Sequence, residues 1–228
     1  MHHFTEDIPA VELRMATRDA ELCGDLVLPP EFEALVLFAH GSGSGRHSAR
    51  NRWVAKRLQQ AGIATLLFDL LTAQEEQVDA RTREHRFNIP LLTTRLEDAT
   101  LWAAEQPQLA HAALGYFGAS TGSAAALIAA ALLKDRISAI VSRGGRPDLA
   151  GVVVLSSITA PTLLIVGGAD PGVMELNNQA LERLRCEKSL AIVPGATHLF
   201  GEPGALEQVA DLAAAWFAAH MTTLPHAA

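Results

Sequence analysis

Apolar positions along the chain fall into short, unbroken blocks separated by longer amphipathic stretches. The blocks ALVLFAH (34–40), IATLLFDL (63–70), HAALGYFG (111–118), ISAIVSR (137–143), TLLIVGG (162–168) and KSLAIVP (188–194) are rich in aliphatic residues, and several close on Gly, Asp or His. Apolarity with no polar alternation over so few residues predicts strands buried on both faces, the pattern of a mostly parallel sheet. AVELRMA (10–16) and AELCGDLVL (20–28) come first and predict an opening hairpin. The stretches between strands predict helices. SARNRWVAKRLQQAG brings Trp53, Val54 and Leu58 inward before Gly62, and GALEQVADLAAAWFAAH carries Leu206, Val209, Leu212, Ala213 and Trp216 on one stripe. Alternation of this kind makes a three-layer α/β unit with helices on both faces of the sheet. Trp53, Trp102 and Trp216 are expected as core anchors rather than ligand platforms.

One segment breaks the pattern. LTAQEEQVDARTREHRFNIP (71–90) is long and charged without a clear period, which predicts a lid or binding loop, or else a solvated excursion. With no internal repeat and no composition break, the 228 residues are expected to form a single domain, 1–228.

Composition narrows the function classes. Hydrophobic residues are 49% of the chain and charged residues 19%, an ordinary globular balance. A net charge of −7 with no dense Lys/Arg stripe argues against a nucleic-acid surface. Cys23 and Cys186 are the only cysteines, with neither disulfide nor zinc spacing, which suits a reducing cytoplasm. The N-terminus lacks a basic start followed by an apolar core, so no secretory leader is expected there. The most apolar window, STGSAAALIAAALLK, is too short to span a bilayer and predicts a buried helix, so no membrane association is expected.

Candidate chemistry centres on YFGASTGSAA (116–125). Ser120 lies in Gly118-Ala119-Ser120-Thr121-Gly122, a single G-x-S-x-G, with a predicted strand running in and a predicted helix running out. A strand-turn-helix elbow strains the serine backbone, and side chains at either glycine would strike the crossing helix and strand. A plain helix cap would also accept Ser120 or Thr121, but it leaves both glycines unexplained. A serine hydroxyl needs a histidine base and an acid to hold that base, and both should follow it. Asp170, after the strand TLLIVGG, and His198, after the strand KSLAIVP, supply them in the order Ser, Asp, His at three strand ends. Taken singly, Asp170 is an ordinary turn residue and His198 an ordinary loop residue.

The glycine-rich loop FAHGSGSGRHSARNRW invites a dinucleotide reading. From Gly41 and Gly43, however, the fingerprint places Arg46 where its third glycine belongs, and no GxxxxGK phosphate loop is present. An oxyanion hole fits better, with donors at the N–H of Thr121 and of Ser42, Gly41 being the close alternative, and His40 steadying the loop. Arg143 and Arg146, after the strand ISAIVSR, are candidate clamps for a substrate carboxylate or phosphate. The competing arrangement pairs them with Asp148, or with Glu75 and Glu76.

HGSGSG, GASTG, GGADPG and GATHLF, in this order from about Ala34 to Phe217, resemble the α/β-hydrolase superfamily, and the chain's size is similar to the dienelactone-hydrolase-like branch. The resemblance implies an eight-stranded, mostly parallel sheet, hydrolysis of carboxylic esters or lactones, and no metal or organic cofactor. Dienelactone hydrolases proper use a cysteine nucleophile where this chain has Ser120, so ester hydrolysis carries over rather than lactone specificity. The interval 144–161 has no room for a large cap, which favours a small or medium soluble ester, thioester or lactone. The same residues would serve acyl transfer to another acceptor, and the fold would also serve a non-catalytic binding or regulatory module. A small-molecule substrate is the expected partner, and the sequence leaves a homodimer open.

Overall fold

Five of the six apolar blocks become inner strands of one eight-stranded sheet in the computed structural model, which describes residues 8–221; the sixth, KSLAIVP, forms its edge strand instead and is buried only at Val193, because no further strand covers its outer side. Residues 1–7, part of the N-terminal stretch in which no leader is expected, lie outside the described residues. In chain order the strands are β1 (Val11–Ala16), β2 (Glu21–Val27), β3 (Ala34–Ala39), β4 (Ala64–Phe68), β5 (Ala113–Ala119), β6 (Ile137–Arg143), β7 (Thr162–Gly167) and β8 (Lys188–Val193). Their order across the sheet is β1-β2-β4-β3-β5-β6-β7-β8. The hairpin β1–β2 and the pair β2–β4 are antiparallel, and all later pairings are parallel.

Seven α-helices connect these strands: α1 (Ala49–Gln60), α2 (Ala73–Thr82), α3 (Ile89–Glu105), α4 (Thr121–Leu133), α5 (Val152–Ser157), α6 (Pro171–Arg183) and α7 (Ala205–His220). Strand alternation sorts the core into two halves. On β3, Leu35, Leu37 and Ala39 pack with the buried faces of α3 and α4, whereas Ala34, Val36 and Phe38 pack with α1 and α7. Every residue of β3, β4 and β7 is buried, as continuous apolar runs require when both faces are covered. Between β6 and β7 lie only a 3-10 turn (Pro147–Ala150) and the six-residue α5, so no cap domain is inserted there. No helix among the described residues is long and apolar enough to cross a membrane.

Two local expectations are corrected. Trp53 is 50% exposed and no core anchor. The buried stripe of α1 is Asn51, Val54, Ala55 and Leu58, at the i, i+3, i+4, i+7 spacing of one helix face, and Trp53 falls on its flank beside Glu207 and Asp211 of α7. Trp102 and Trp216 are partly buried and pack on the two core halves. The charged segment 71–90 contains α2. Its Thr72 hydroxyl accepts from the Glu75 N–H at 3.2 Å, while Glu75 accepts from the Thr72 N–H at 2.7 Å. Such a box stabilises a helix start by about 1 kcal/mol. Only Asp79 of α2 is buried, so no apolar period marks the helix.

Candidate active site

Ser120 stands at the turn from β5 into α4 with φ 51° and ψ −120°, a left-handed conformation costing a non-glycine residue on the order of 1–3 kcal/mol. Backbone bonds hold it there: its N–H donates to the Arg143 carbonyl at 3.2 Å, and its carbonyl accepts from the Arg146 N–H at 3.2 Å. The flanking glycines make the turn sterically feasible. A Cβ on Gly118 would lie 2.5 Å from Ser123 Cα, and one on Gly122 would lie 2.2 Å from the Ala39 carbonyl oxygen.

Asp170 follows β7 and His198 follows β8, and the fold brings both to Ser120. Asp170 Oδ2 lies 2.8 Å from His198 Nδ1. A carboxylate only accepts, so this bond places the ring proton on Nδ1 and leaves the Nε2 lone pair free. Nε2 lies 3.4 Å from Ser120 Oγ, which a small side-chain rotation brings into the roughly 2.6–3.2 Å range of proton transfer. The arrangement can take a proton from the hydroxyl and stabilise the resulting imidazolium.

The loop after β3 closes on the same point. A Cβ on Gly41 would lie 3.1 Å from Ser120 Cβ, so the loop backbone runs directly past the hydroxyl-bearing carbon. Thr121 is the first residue of α4, so its N–H has no partner a turn back within the helix. His40 fixes the loop from below: Nδ1 lies 3.0 Å from the Gly41 carbonyl, and Nε2 accepts from the Leu70 N–H at 3.0 Å. Donation by Nδ1 and acceptance by Nε2 define a neutral imidazole.

Burial holds the His40 pKa below the usual histidine value, against the opposing Gly41 hydrogen bond and the charge of Asp69. A group depressed in the folded state takes its proton first in the unfolded chain. Stability attached to His40 is therefore complete above about pH 6.5 and declines as pH falls below it. Urea unfolding of wild type and His40→Gln at pH 7.5 and 5.5 should show the wild type losing more stability, by up to about 1.4 kcal/mol per pH unit. Equal losses would show that His40 titrates freely.

A cavity of about 160 Å³ opens on these groups, lined by Gly41, Ser42, Ser120, His198, Arg143 and Arg50 among others. The expected donor Ser42 and the expected clamp Arg143 therefore share a cavity with Ser120. The other expected clamp, Arg146, does not line it: its Nε and Nη2 each donate to Asp148 at 2.8 Å. Glu75 instead accepts from Arg95 at 2.9 Å. Arg46, which breaks the dinucleotide fingerprint, donates its N–H to Asp69 at 2.7 Å, tying that acid into the loop. A second cavity, of about 190 Å³, lies across the 41–44 loop and is lined by Glu76 and Asp79 of α2 together with Arg86. The segment 71–90 thus borders the site.

Arg50 is the charged residue of the Ser120 cavity that the sequence does not single out, because SARNRW and the residues around it present several arginines in one polar stretch. Across the sheet, β3, β5, β6, β7 and β8 are consecutive neighbours, and their carboxyl ends deliver the 41–44 loop, Ser120, Arg143, Asp170 and His198 in turn. Parallel α/β sheets place their sites at this edge. Among the described residues, no group of three or more His, Cys, Asp or Glu is arranged to hold a metal ion.

Comparison with known proteins gives a consistent answer on the family. The model of an alpha/beta hydrolase domain matches residues 32–222. A dienelactone hydrolase from Anabaena variabilis is 52% identical, with a TM-score of 0.93 over 94% of this chain and 99% of that one. Est1E from Butyrivibrio proteoclasticus is 17% identical with a TM-score of 0.74, over 91% of this chain and 99% of that one, a likeness of fold alone. A Mycobacterium tuberculosis protein named "Putative phosphoribosyl transferase" is 54% identical over 210 residues. The match takes in 92% of this chain but 46% of that protein, so the chain spans about half the length of its curated relative. With Ser120, His198 and Asp170 in contact at one sheet edge, and a family model covering most of its length, the chain belongs to the alpha/beta hydrolase domain family.

Proposed function

We propose that the protein is a serine hydrolase that cleaves a small or medium soluble ester, thioester or lactone through an acyl-enzyme on Ser120. The observation that carries this reading is the continuous contact from Asp170 Oδ2 through His198 to Ser120 Oγ, at 2.8 and 3.4 Å. His198 takes the hydroxyl proton as Oγ attacks the acyl carbon, and Asp170 holds the imidazolium. The N–H groups of Thr121 and Ser42 receive the oxyanion. His198 returns its proton to the leaving group, and water attacks the acyl-enzyme with His198 again as base.

The mycobacterial name brings phosphoribosyl transfer as a second reading. That reaction attacks an anomeric carbon rather than a carbonyl and has no use for an oxyanion hole, so these residues support hydrolysis as the reading for this chain. The absence of an inserted cap between β6 and β7 supports a substrate of modest size. A fluorophosphonate should label Ser120 stoichiometrically and abolish hydrolysis in a panel of short and long acyl esters, thioesters and lactones. Failure to label, with no substrate turned over, would reject the reading and leave a binding module. Transfer of the acyl group to an added alcohol in preference to water would convert it into an acyltransferase.

A further inference from the structure

Eight arginines among the described residues hold a carboxylate, and of the seven that do not, Arg81, Arg83, Arg136, Arg183 and Arg185 are exposed to solvent. Arg18 holds Asp98, Arg46 holds Asp69, Arg52 holds Asp25, Arg57 holds Asp211, Arg86 holds Asp79, Arg95 holds Glu75 and Arg146 holds Asp148. Arg143 and Arg50 are neither paired with a carboxylate nor fully exposed, and they meet in the same place. Both line the Ser120 cavity, whose lining contains no carboxylate.

Arg143 is 7% exposed, and its Nε is buried without a partner. Its one side-chain hydrogen bond among the described residues is a long contact of 3.4 Å to Asn51 Oδ1, and its guanidinium lies 5.8 Å from the Phe200 ring centroid. Phe200 sits two residues beyond His198, so the ring steadies the guanidinium from the base-bearing loop. Arg50 Nε is likewise buried and unpartnered. It belongs to the first turn of α1, whose N-cap Ser48 lines the same cavity, so the positive end of the helix adds to the two charges. Burial, then the nearness of Arg50, lowers the Arg143 pKa to about 10, which leaves it charged at neutral pH.

Two like charges kept together without a counter-ion oppose folding, and a buried cation left uncompensated is costly. A ligand that supplies the missing anion removes that cost. We propose that the substrate cleaved at Ser120 also carries an anionic group, a carboxylate or a phosphate, which Arg143 and Arg50 hold in this cavity. The volume of about 160 Å³ is that of roughly five water molecules, enough for the reacting carbonyl and a small charged substituent. The inference rests on Ser120 as nucleophile, but anion binding is measurable without turnover.

The test has two arms. In Ser120→Ala protein, inorganic phosphate and a short dicarboxylate are titrated by calorimetry against Arg50→Gln and Arg143→Gln backgrounds. Binding that weakens about 10- to 100-fold in either background supports the proposal. In the active enzyme, acyl-matched esters bearing a carboxylate, a phosphate or a methyl cap are compared. The wild type should favour one charged ester over the neutral one, and that preference should collapse by about 10- to 100-fold in Arg50→Gln, chiefly through KM. It should persist in Arg57→Gln, which alters a pair remote from the cavity. Which charged ester is preferred identifies the anion. Equal kcat/KM for charged and neutral esters in the wild type, or no anion binding to Ser120→Ala, would overturn the proposal even where a fluorophosphonate still labels Ser120. Should Arg143→Gln fail to fold, the partly exposed Arg50 decides alone.

Discussion

Ser120→Ala is expected to lower turnover of every acyl substrate by about four to six orders of magnitude while moving the melting temperature by less than about 2 °C. The two halves of this result have different causes. Alanine removes the atom that attacks the acyl carbon, and His198 and Asp170 then have no proton to move, so the loss is that of the whole unit rather than one third of it. Stability barely changes because the Ser120 hydroxyl makes a single side-chain hydrogen bond among the described residues, the 3.4 Å approach to His198 Nε2. The backbone at φ 51° strains alanine as it strains serine. Single-turnover kinetics on an activated ester, set beside calorimetric melting, measures both halves. A variant retaining a tenth of wild-type turnover would remove Ser120 from the chemistry and reduce the triad geometry to loop packing.

The parts of this site that are legible in the sequence are those that the backbone itself enforces. Gly118 and Gly122 are readable because a turn of this tightness admits no side chain on either flank, Asp170 because a strand buried on both faces announces where it ends, and His198 because the apolar run of the edge strand β8 stops just before it. What escapes reading is set by partners distant in the chain. Trp53 looks like a core anchor until the register of α1 against α7 turns it outward, and α2 is held by its cap and by Asp79 rather than by an apolar stripe. Arg50 differs from Arg52 and Arg57 only in what lies across from it: Asp25 and Asp211 meet the latter two, and the Ser120 cavity meets the first. The sequence does not encode such a difference locally.

Gly122→Ala should be the most destabilising single methyl that can be added near the site, costing about 3 kcal/mol or more and lowering the soluble yield. Two effects compete, and their sizes decide the sign. Alanine in the first turn of α4 gains helix propensity of at most about 1 kcal/mol over glycine. Against that, the new Cβ would sit 2.2 Å from the Ala39 oxygen and 2.4 Å from the His40 oxygen, both backbone atoms. Ordinary contact needs roughly 1 Å more, and neither side can give it cheaply. β3 is wholly buried between β4 and β5, and every residue of α4 from Thr121 to Leu127 is buried. Relief by displacing the chain at His40 would shift the 41–44 loop, so the folded fraction should also lose turnover. Gly62→Ala is the control: it has φ 78° and nothing within 4 Å, so it carries backbone strain without a clash and should cost about 1 kcal/mol. Urea midpoints for the two variants separate the contributions, and equal midpoints would mean that α4 does not press on β3 as closely as the Ser120 turn demands.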